Sequence, residues 1–341
     1  MTREQFSERL LRAYNDAALT LMISVGHQVG LFSTMRGLRP STIAEIATAA
    51  KLQERYVREW LGAMVTGGVV TVDAAELYTL PDEHAASLTG PDSMAGPSQY
   101  IAELGRVEHF VVNCFRHGGG VPYEKYPRFH DIMAEDSAHF VAAALEANIL
   151  PLVPGLVDKL RAGIRVVDVG CGRGMTMTRL AELFPNSVFE GVDFSTEAIA
   201  FAKAHATRPN VSFRAEDATV ALAAGRYDFV TTFDSIHDQA KPLAVLKNIH
   251  RALKTDGVYL MQEIKGSSHH HGDIGHPLGT LLYTISCMHC MTVSLAQGGE
   301  GLGAMWGEEK TREYLTRAGF TFIQKNELPH DIQNNWYVVR K

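Results

Sequence analysis

The residues best able to do chemistry lie in the second half of the chain. IRVVDVG (164–170) is a mainly apolar run that ends in an acid and a glycine and opens into the turn GCGRG (170–174). Glycines at Gly170, Gly172 and Gly174 let backbone approach a ligand where a Cβ would collide. A second run, 187–192, leads to Asp193, which is placed to accept two hydrogen bonds from a ribose diol. His237, in DSIHD (234–238) just past a later strand, is the candidate general base. A further group, His269, His270, His271, Asp273, His276, Cys287, His289 and Cys290, invites a metal-site reading. The spacing weakens it, because one Cys-x-x-Cys without a second pair is half a structural site. Those cysteines also fall in LLYTISCMHCMTVSLA (281–296), a mainly apolar helix in which thiols would simply be buried. No metal is therefore expected; His271, Asp273, His276 and a cysteine would be the ligands of one.

The turn also discriminates between ligands. A dinucleotide-binding turn reads GxGxxG, whereas here the sixth residue is Met175 and the third glycine comes one place early. Asp168, inside the first strand, would repel a diphosphate, while a sulfonium ligand with an ammonium group would tolerate or welcome it. A sheet must position these groups. Strands are expected from 164 and at 187–192, 211–213, 227–232, 258–263, 320–324 and 336–339. Helices are expected at 175–183, after a Ser195 cap, at 242–253 and at 311–318, and Asp238 is read as a cap for the third. Alternation this regular predicts an α/β fold whose mostly parallel sheet carries helices on both faces.

The 341 residues suffice for two hydrophobic cores. A net charge of −6 argues against a strongly basic nucleic-acid binder. Four cysteines, Cys114, Cys171, Cys287 and Cys290, are too few for a disulfide scaffold and suit a reducing compartment, so the cytoplasm is expected. The N-terminus has no signal-peptide pattern. Segments 17–35 and 277–299 lack Asp, Glu, Lys and Arg, but Gly, Ser, Thr and His interrupt them too often for membrane spans.

Apolar residues three to four apart, Phe6, Leu10, Ala13, Ala17, Leu21 and Val25, predict a long first helix, and so much apolar surface near a chain end points to self-association. Ser41 is placed to cap a short helix bearing Ile43, Ile46 and Ala47. Tyr56, Trp60 and Met64 recur every four residues on a second, stopped by Gly67 and Gly68, and a hairpin follows about 73–76. Helix, turn, helix and hairpin describe a winged helix, with Tyr56 and Trp60 expected in its core. Arg36, Arg39, Lys51, Arg55 and Arg58 are balanced by Glu45, Glu54, Glu59, Asp73 and Glu76, so packing or dimerisation is expected rather than DNA contact. Three glycines at 118–120 precede Tyr123, Tyr126 and Phe129, making a loop that either covers a site or only connects. The expected organisation is a winged-helix domain over 1–90, a helical connector over 91–157 and the sheet domain over 158–341.

VVDVGCGRG (166–174), EGVDFS (190–195), AEDA (215–218) and YDFVTTFDSIHD (227–238) resemble the successive signature segments of class I S-adenosylmethionine-dependent methyltransferases. The N-terminal half resembles the winged-helix dimerisation domain of small-molecule O-methyltransferases, and the whole chain resembles a group of bacterial winged-helix methyltransferases. The resemblance implies a Rossmann-like seven-stranded sheet in the order 3-2-1-4-5-7-6 with strand 7 antiparallel, and S-adenosyl-L-methionine as cofactor. It sets Gly170, Gly172 and Gly174 around the methionine portion, Asp168 near its amino group, and Asp193 on the ribose, with Phe194 and Phe233 also beside the cofactor. Asp217 would face the adenine amine and the Ala218 N–H the ring. It implies His237 as base and Glu263, in LMQEIK, as its partner; the family's Trp after the His-Asp pair is Gln239 here, and its cation four before the His is Phe233. Insertion 266–306 would wall the acceptor pocket with Tyr283, Met288, His289 and Trp306, facing Tyr123. The expected activity is methylation of a hydroxyl or phenol oxygen on a small molecule by a homodimer. The alternatives are carbon or nitrogen methylation with His237 only shaping the pocket, or a transcriptional regulator that binds the cofactor.

Overall fold

The computed structural model describes residues 1–90, 93–220 and 222–341, which fall into two compact units, Met1–Gly105 and Arg106–Lys341. The first begins with α1 (Arg3–Gln28), started by a capping box between Thr2 and Gln5. Then come α2 (Leu31–Arg36), α3 (Ile43–Ala50), α4 (Glu54–Thr66) and the antiparallel hairpin of β1 (Thr71–Val72) and β2 (Tyr78–Thr79). Phe32, Ile46, Trp60, Leu61 and Met64 form its core, and Trp60 Nε1 donates to the Met22 carbonyl at 2.9 Å.

This is the expected winged helix with two corrections. Thr42, not Ser41, caps α3: Thr42 Oγ1 accepts from the Glu45 N–H at 3.3 Å and Glu45 accepts from the Thr42 N–H at 2.8 Å. Ser41 is drawn away because its backbone pairs with Tyr78. Tyr56 is 80% exposed, since the buried stripe of α4 runs through Val57, Trp60, Leu61 and Met64 and residue 56 lies off its edge.

The second unit is built on β3 (Arg165–Val169), β4 (Val188–Asp193), β5 (Val211–Ala215), β6 (Tyr227–Phe233), β7 (Leu253–Ile264), β8 (Phe322–Leu328) and β9 (Asp331–Arg340). Their order is β5-β4-β3-β6-β7-β9-β8, with β3 to β7 parallel and β9 antiparallel to both neighbours. Numbered from β3, that is 3-2-1-4-5-7-6, as expected. Val166, Phe189, Phe229 and Leu260 enter one core and their neighbours Val167, Val230 and Met261 the other, which is why these strands read as continuous apolar runs. The sheet helices include α5 (Met175–Leu183), α6 (Thr196–His205), α7 (Pro242–Ala252) and α8 (Gly307–Ala318).

One helical stretch, Gly279–Ala296, is long and apolar enough by length and composition to cross a membrane, but 44% of it is buried within the fold. A π-helical turn, Ser286–Cys290, interrupts it. The carboxyl ends of β3, β4, β6 and β7 converge on one edge of the sheet, and the candidate residues gather there.

Candidate active site

The glycine turn is fastened to β4. The Gly170 and Cys171 N–H groups both donate to the Val192 carbonyl, at 2.8 and 3.2 Å. Asp193, at the end of β4, accepts from the Gly172 N–H at 2.9 Å and from the Ser195 N–H at 2.8 Å, so one carboxylate ties the turn to the start of α6. Burial raises its pKa while those N–H groups pull the other way. The three glycines differ in purpose. A Cβ on Gly170 would lie 2.5 Å from the Ser235 Cβ, and one on Gly174 would lie 2.3 Å from the Phe213 ring, so both are needed for packing. A Cβ on Gly172, at φ +50°, would meet nothing within 4 Å, so this backbone faces open space.

Asp168 is buried in β3 and accepts from Thr231 Oγ1 at 2.8 Å; burial pushes its pKa up to about 7. Asp217 is exposed and accepts from the Thr219 N–H at 2.8 Å, an Asx turn that leaves one oxygen unused. Ala218 is buried next to it, and its carbonyl accepts from Asn248 Nδ2 at 2.7 Å. Phe194 is exposed beside Asp193, whereas Phe233 packs against Trp336 with ring centroids 6.0 Å apart.

β6 ends in a sharp turn at Asp234, a non-glycine residue at φ +47°. Ser235 Oγ then donates to the Val169 carbonyl at 2.8 Å, clamping this loop to the glycine turn. His237 follows, 3% exposed, with Nδ1 2.5 Å from Glu263 Oε2. Glu263 is wholly buried in β7; Oε1 accepts from the Ile236 N–H at 3.2 Å and Oε2 also from Trp306 Nε1 at 3.0 Å. Burial drives the His237 pKa down, but the Glu263 and Asp238 carboxylates outweigh it and hold it well above the ordinary range. With Nδ1–H donated to Glu263, Nε2 is the outward atom, 3.4 Å from Asp238 Oδ1. Asp238 therefore does not cap α7: Lys241 occupies the cap position without a side-chain bond, and Pro242 supplies a first-turn residue that needs no donor partner.

Beyond His237 lies an aromatic cluster. Tyr123 stacks on His130 at 4.7 Å and meets the edge of Phe194 at 6.1 Å, and His289 stacks on Phe129 at 3.4 Å. The loop carrying these rings is fixed by the Val121 N–H donating to Thr292 Oγ1 at 2.8 Å and by Tyr126 Oη donating to the Met288 carbonyl at 2.5 Å. Tyr123 and His289 are thus brought together near the histidine. Tyr283 and Met288 are placed elsewhere, lining a groove of about 700 Å³ with Val111, Val112 and Phe115. The Tyr283 hydroxyl is held by Asp273 at 2.7 Å. Trp306 does not line a pocket: it is 3% exposed, packed behind Glu263, because its indole N–H is taken by that carboxylate.

Of the metal-ligand types suggested by sequence, Asp273 accepts from the Ser267 N–H and from Tyr283, and His276 Nδ1 accepts from the Leu278 N–H. Among the described residues, ligand-type atoms come within 4.8 Å of one another in two sets, His237–Asp238–Cys290 and Asp234–His237–Glu263, both centred on His237. Sequence reasoning missed Asp238, His130 and Cys290 as neighbours of the site. The 123, 126, 129 and 130 spacing of rings was the available signal for His130 and adjacency to His237 that for Asp238; nothing local marked Cys290.

Residues 160–317 match the family described as a methyltransferase domain, and residues 17–90 match the Rv2258c-like winged HTH domain. Among curated proteins the chain is 29% identical over 146 residues to a malonyl-[acyl-carrier protein] O-methyltransferase of Bacillus cereus, covering 42% of this chain and 48% of that one. It is 30% identical over 110 residues to a ubiquinone biosynthesis O-methyltransferase of Haemophilus ducreyi, covering 30% and 46%. The chain spans about half the length of these relatives. Among solved structures, human N-acetylserotonin methyltransferase in complex with SAM shares the fold: TM-score 0.72 at 18% identity, over 98% of this chain and 97% of that one. Residues 17–90 thus resemble a winged-HTH domain and residues 160–317 a methyltransferase domain.

Proposed function

We propose that this chain binds S-adenosyl-L-methionine at the carboxyl ends of β3 and β4 and transfers its methyl group to a hydroxyl or phenol oxygen of a small molecule. The observation that carries this reading is the buried His237–Glu263 pair on a loop clamped to the glycine turn. The relatives named above are O-methyltransferases, and the human neighbour holds the same cofactor. The residues fit that cofactor. Gly172 opens on free space, Asp193 keeps lone pairs for ribose hydroxyls, and Asp168 offers a carboxylate to an amino group.

When bound, the cofactor supplies an electrophilic methyl on a sulfonium and a leaving thioether that needs no proton. What remains for the protein is to align the acceptor, exclude water and take a proton. His237 Nε2 takes it. Glu263 fixes the Nδ1–H tautomer and stabilises the imidazolium, and Trp306 with the Ile236 N–H holds Glu263 in place. Insertion 266–306 and the ring-bearing loop form the acceptor side. The winged helix serves dimerisation: Arg55 and Arg58 of α4 are already paired with Glu59 and Glu54, which leaves little cation for phosphates. Four free cysteines suit a cytoplasmic setting.

Isothermal titration of the untagged protein with S-adenosylmethionine, S-adenosylhomocysteine and NAD tests the reading. The first two should bind at micromolar concentration and NAD should not. Asp193→Ala should weaken both by about 1.5–3 kcal/mol, because hydrogen bonds to a charged acceptor are lost. NAD binding alone, or silence on folded protein freed of carried-over nucleoside, would overturn it.

A further inference from the structure

Three atoms of different chemical kinds meet beside the candidate base. His237, Asp238 and Cys290 each bring one ligand-type atom within 4.8 Å of the other two. His237 Nε2 and Asp238 Oδ1 are 3.4 Å apart, and the Cys290 thiol hydrogen-bonds with both side chains. Nitrogen, oxygen and sulfur at this spacing are the ligands of a tetrahedral zinc-like ion, whose bonds of about 2.0–2.3 Å set neighbouring ligand atoms roughly 3–4 Å apart. The set is not encoded by any local Cys-x-x-Cys pattern. The loop after β6 supplies two members and the π-helical turn Ser286–Cys290 the third.

Two further features suit a metal site. A ligating imidazole ordinarily donates its other N–H to a carboxylate, which fixes the tautomer and makes the ligating nitrogen more basic. His237 does so: Nδ1 meets Glu263 Oε2 at 2.5 Å, and Trp306 Nε1 and the Ile236 N–H hold that carboxylate. The second feature is His289, which is fully buried with neither ring nitrogen hydrogen-bonded among the described residues. Its Nδ1 stands 4.0 Å from Asp238 Oδ2, and it precedes Cys290 on the same π-helical turn, a distortion that recurs at functional sites. The other ligand-type set, Asp234–His237–Glu263, does not compete. Its Nδ1 and Oε2 are too close together to be two ligands of one ion, and two N–H donors already occupy Glu263. An ion would take the place of the protons that the three atoms now share. It would enter past Asp238, whose side chain is 26% exposed.

We propose that His237, Asp238 and Cys290, with His289 in the fourth position, bind a thiophilic divalent cation of the zinc type, and that the bound ion switches the base off. Sulfur with imidazole selects zinc or cadmium over magnesium or calcium, which prefer oxygen. On binding, the Cys290 thiol releases its proton to water and the thiolate takes the ion. The ion then uses the lone pair of His237 Nε2, so that atom takes no proton from an acceptor. Binding follows from the ligand geometry alone; its effect on transfer rests on the methyltransferase reading.

The test uses the full-length, untagged protein stripped with a chelator, then titrated with Zn2+ against a chromophoric chelator and with Cd2+ in the ultraviolet. One Zn2+ should bind per chain at micromolar concentration or below, and Cd2+ should raise a thiolate-to-metal charge-transfer band. Cys290→Ser should abolish the band and weaken Zn2+ binding by more than the roughly 10–100-fold that loss of an outer partner costs, whereas Cys287→Ser should change neither. Asp238→Asn should weaken Zn2+ by about tenfold or more and keep the band; it carries the test if circular dichroism shows Cys290→Ser unfolded. Saturating Zn2+ should halt methyl transfer with the affinity for S-adenosylhomocysteine unchanged, and chelator should restore it. No stoichiometric Zn2+, no charge-transfer band, or unchanged affinity in either ligand variant would overturn the site. Full transfer by the zinc-loaded protein would overturn the switch. Failure of the methyltransferase reading registers separately, as absent binding of S-adenosylhomocysteine to protein that still binds Zn2+.

Discussion

A buried imidazole is a poor base in isolation, because desolvation lowers its proton affinity; the carboxylate beside His237 reverses that. Burial and the Glu263 and Asp238 carboxylates act in opposite directions on the same ring, and the carboxylates prevail. The sign has a kinetic consequence. A base with a raised pKa stays protonated, and so inactive, until the pH exceeds that pKa, so kcat/KM should climb with pH through it. Glu263→Gln removes the larger carboxylate effect and leaves Asp238 alone against desolvation, which lowers the pKa; the acid limb should move to lower pH while the maximum rate falls, because the weaker base draws the proton less strongly. His237→Gln should slow transfer by about a hundredfold or more with cofactor affinity nearly unchanged. A pH–rate profile beside a titration of S-adenosylhomocysteine separates these outcomes, and an unmoved profile in both variants would remove His237 from the chemistry. His237 and Glu263 could be read in the sequence because one follows a strand's end and the other lies near one. The Trp306 contact could not, since it joins residues 43 apart.

At the scale of elements, β3, β4, β6 and β7 were legible because burial on both faces makes each a mainly apolar run with an acid at or next to its end. Helix caps were less so: Ser41 and Thr42 are chemically equivalent as caps, and only the pairing of Ser41 with Tyr78 decides between them. The π-helical turn was invisible, because one extra residue in a turn leaves the apolar spacing unchanged over so short a stretch. The glycines at 118–120 look in sequence like a hinge, but the structure shows a docking point. A Cβ on Gly120 would lie 2.0 Å from the Thr292 carbonyl oxygen and 2.3 Å from the Ala296 nitrogen, both backbone atoms that cannot step aside. Gly120→Ala should therefore lift the loop that carries Tyr123 and Tyr126, cost about 1–3 kcal/mol of stability, and raise KM for the acceptor more than for the cofactor. Gly62→Ala, on an open face of α4, should instead stabilise by about 0.5–1 kcal/mol. Thermal melts of the two variants should move in opposite directions; a shared direction would show that the loop is not seated as described.

For the whole molecule, the decisive surface is α1. It spans 26 residues, and every residue from 1 to 18 is exposed, including Phe6, Leu10, Leu11 and Tyr14. Its capping box and one turn of acid at the start favour a helix, but such local terms amount to about 1 kcal/mol and leave an isolated helix marginal in water. Four large apolar side chains facing solvent along two-thirds of its length are better explained by burial against another copy of the chain, where a two-fold axis sets the same face on itself. The chain should then sediment as a dimer, and Leu11→Asp combined with Tyr14→Asp should shift it to monomer, since each charge would have to be desolvated without a partner in the interface. If the helix is held only by that contact, the monomeric variant should also lose helical signal in circular dichroism, whereas a helix stable on its own would keep it. Sedimentation velocity gives the first answer and far-ultraviolet dichroism the second. A native monomer with full helicity would mean that α1 stands free and that its apolar face serves something other than self-association.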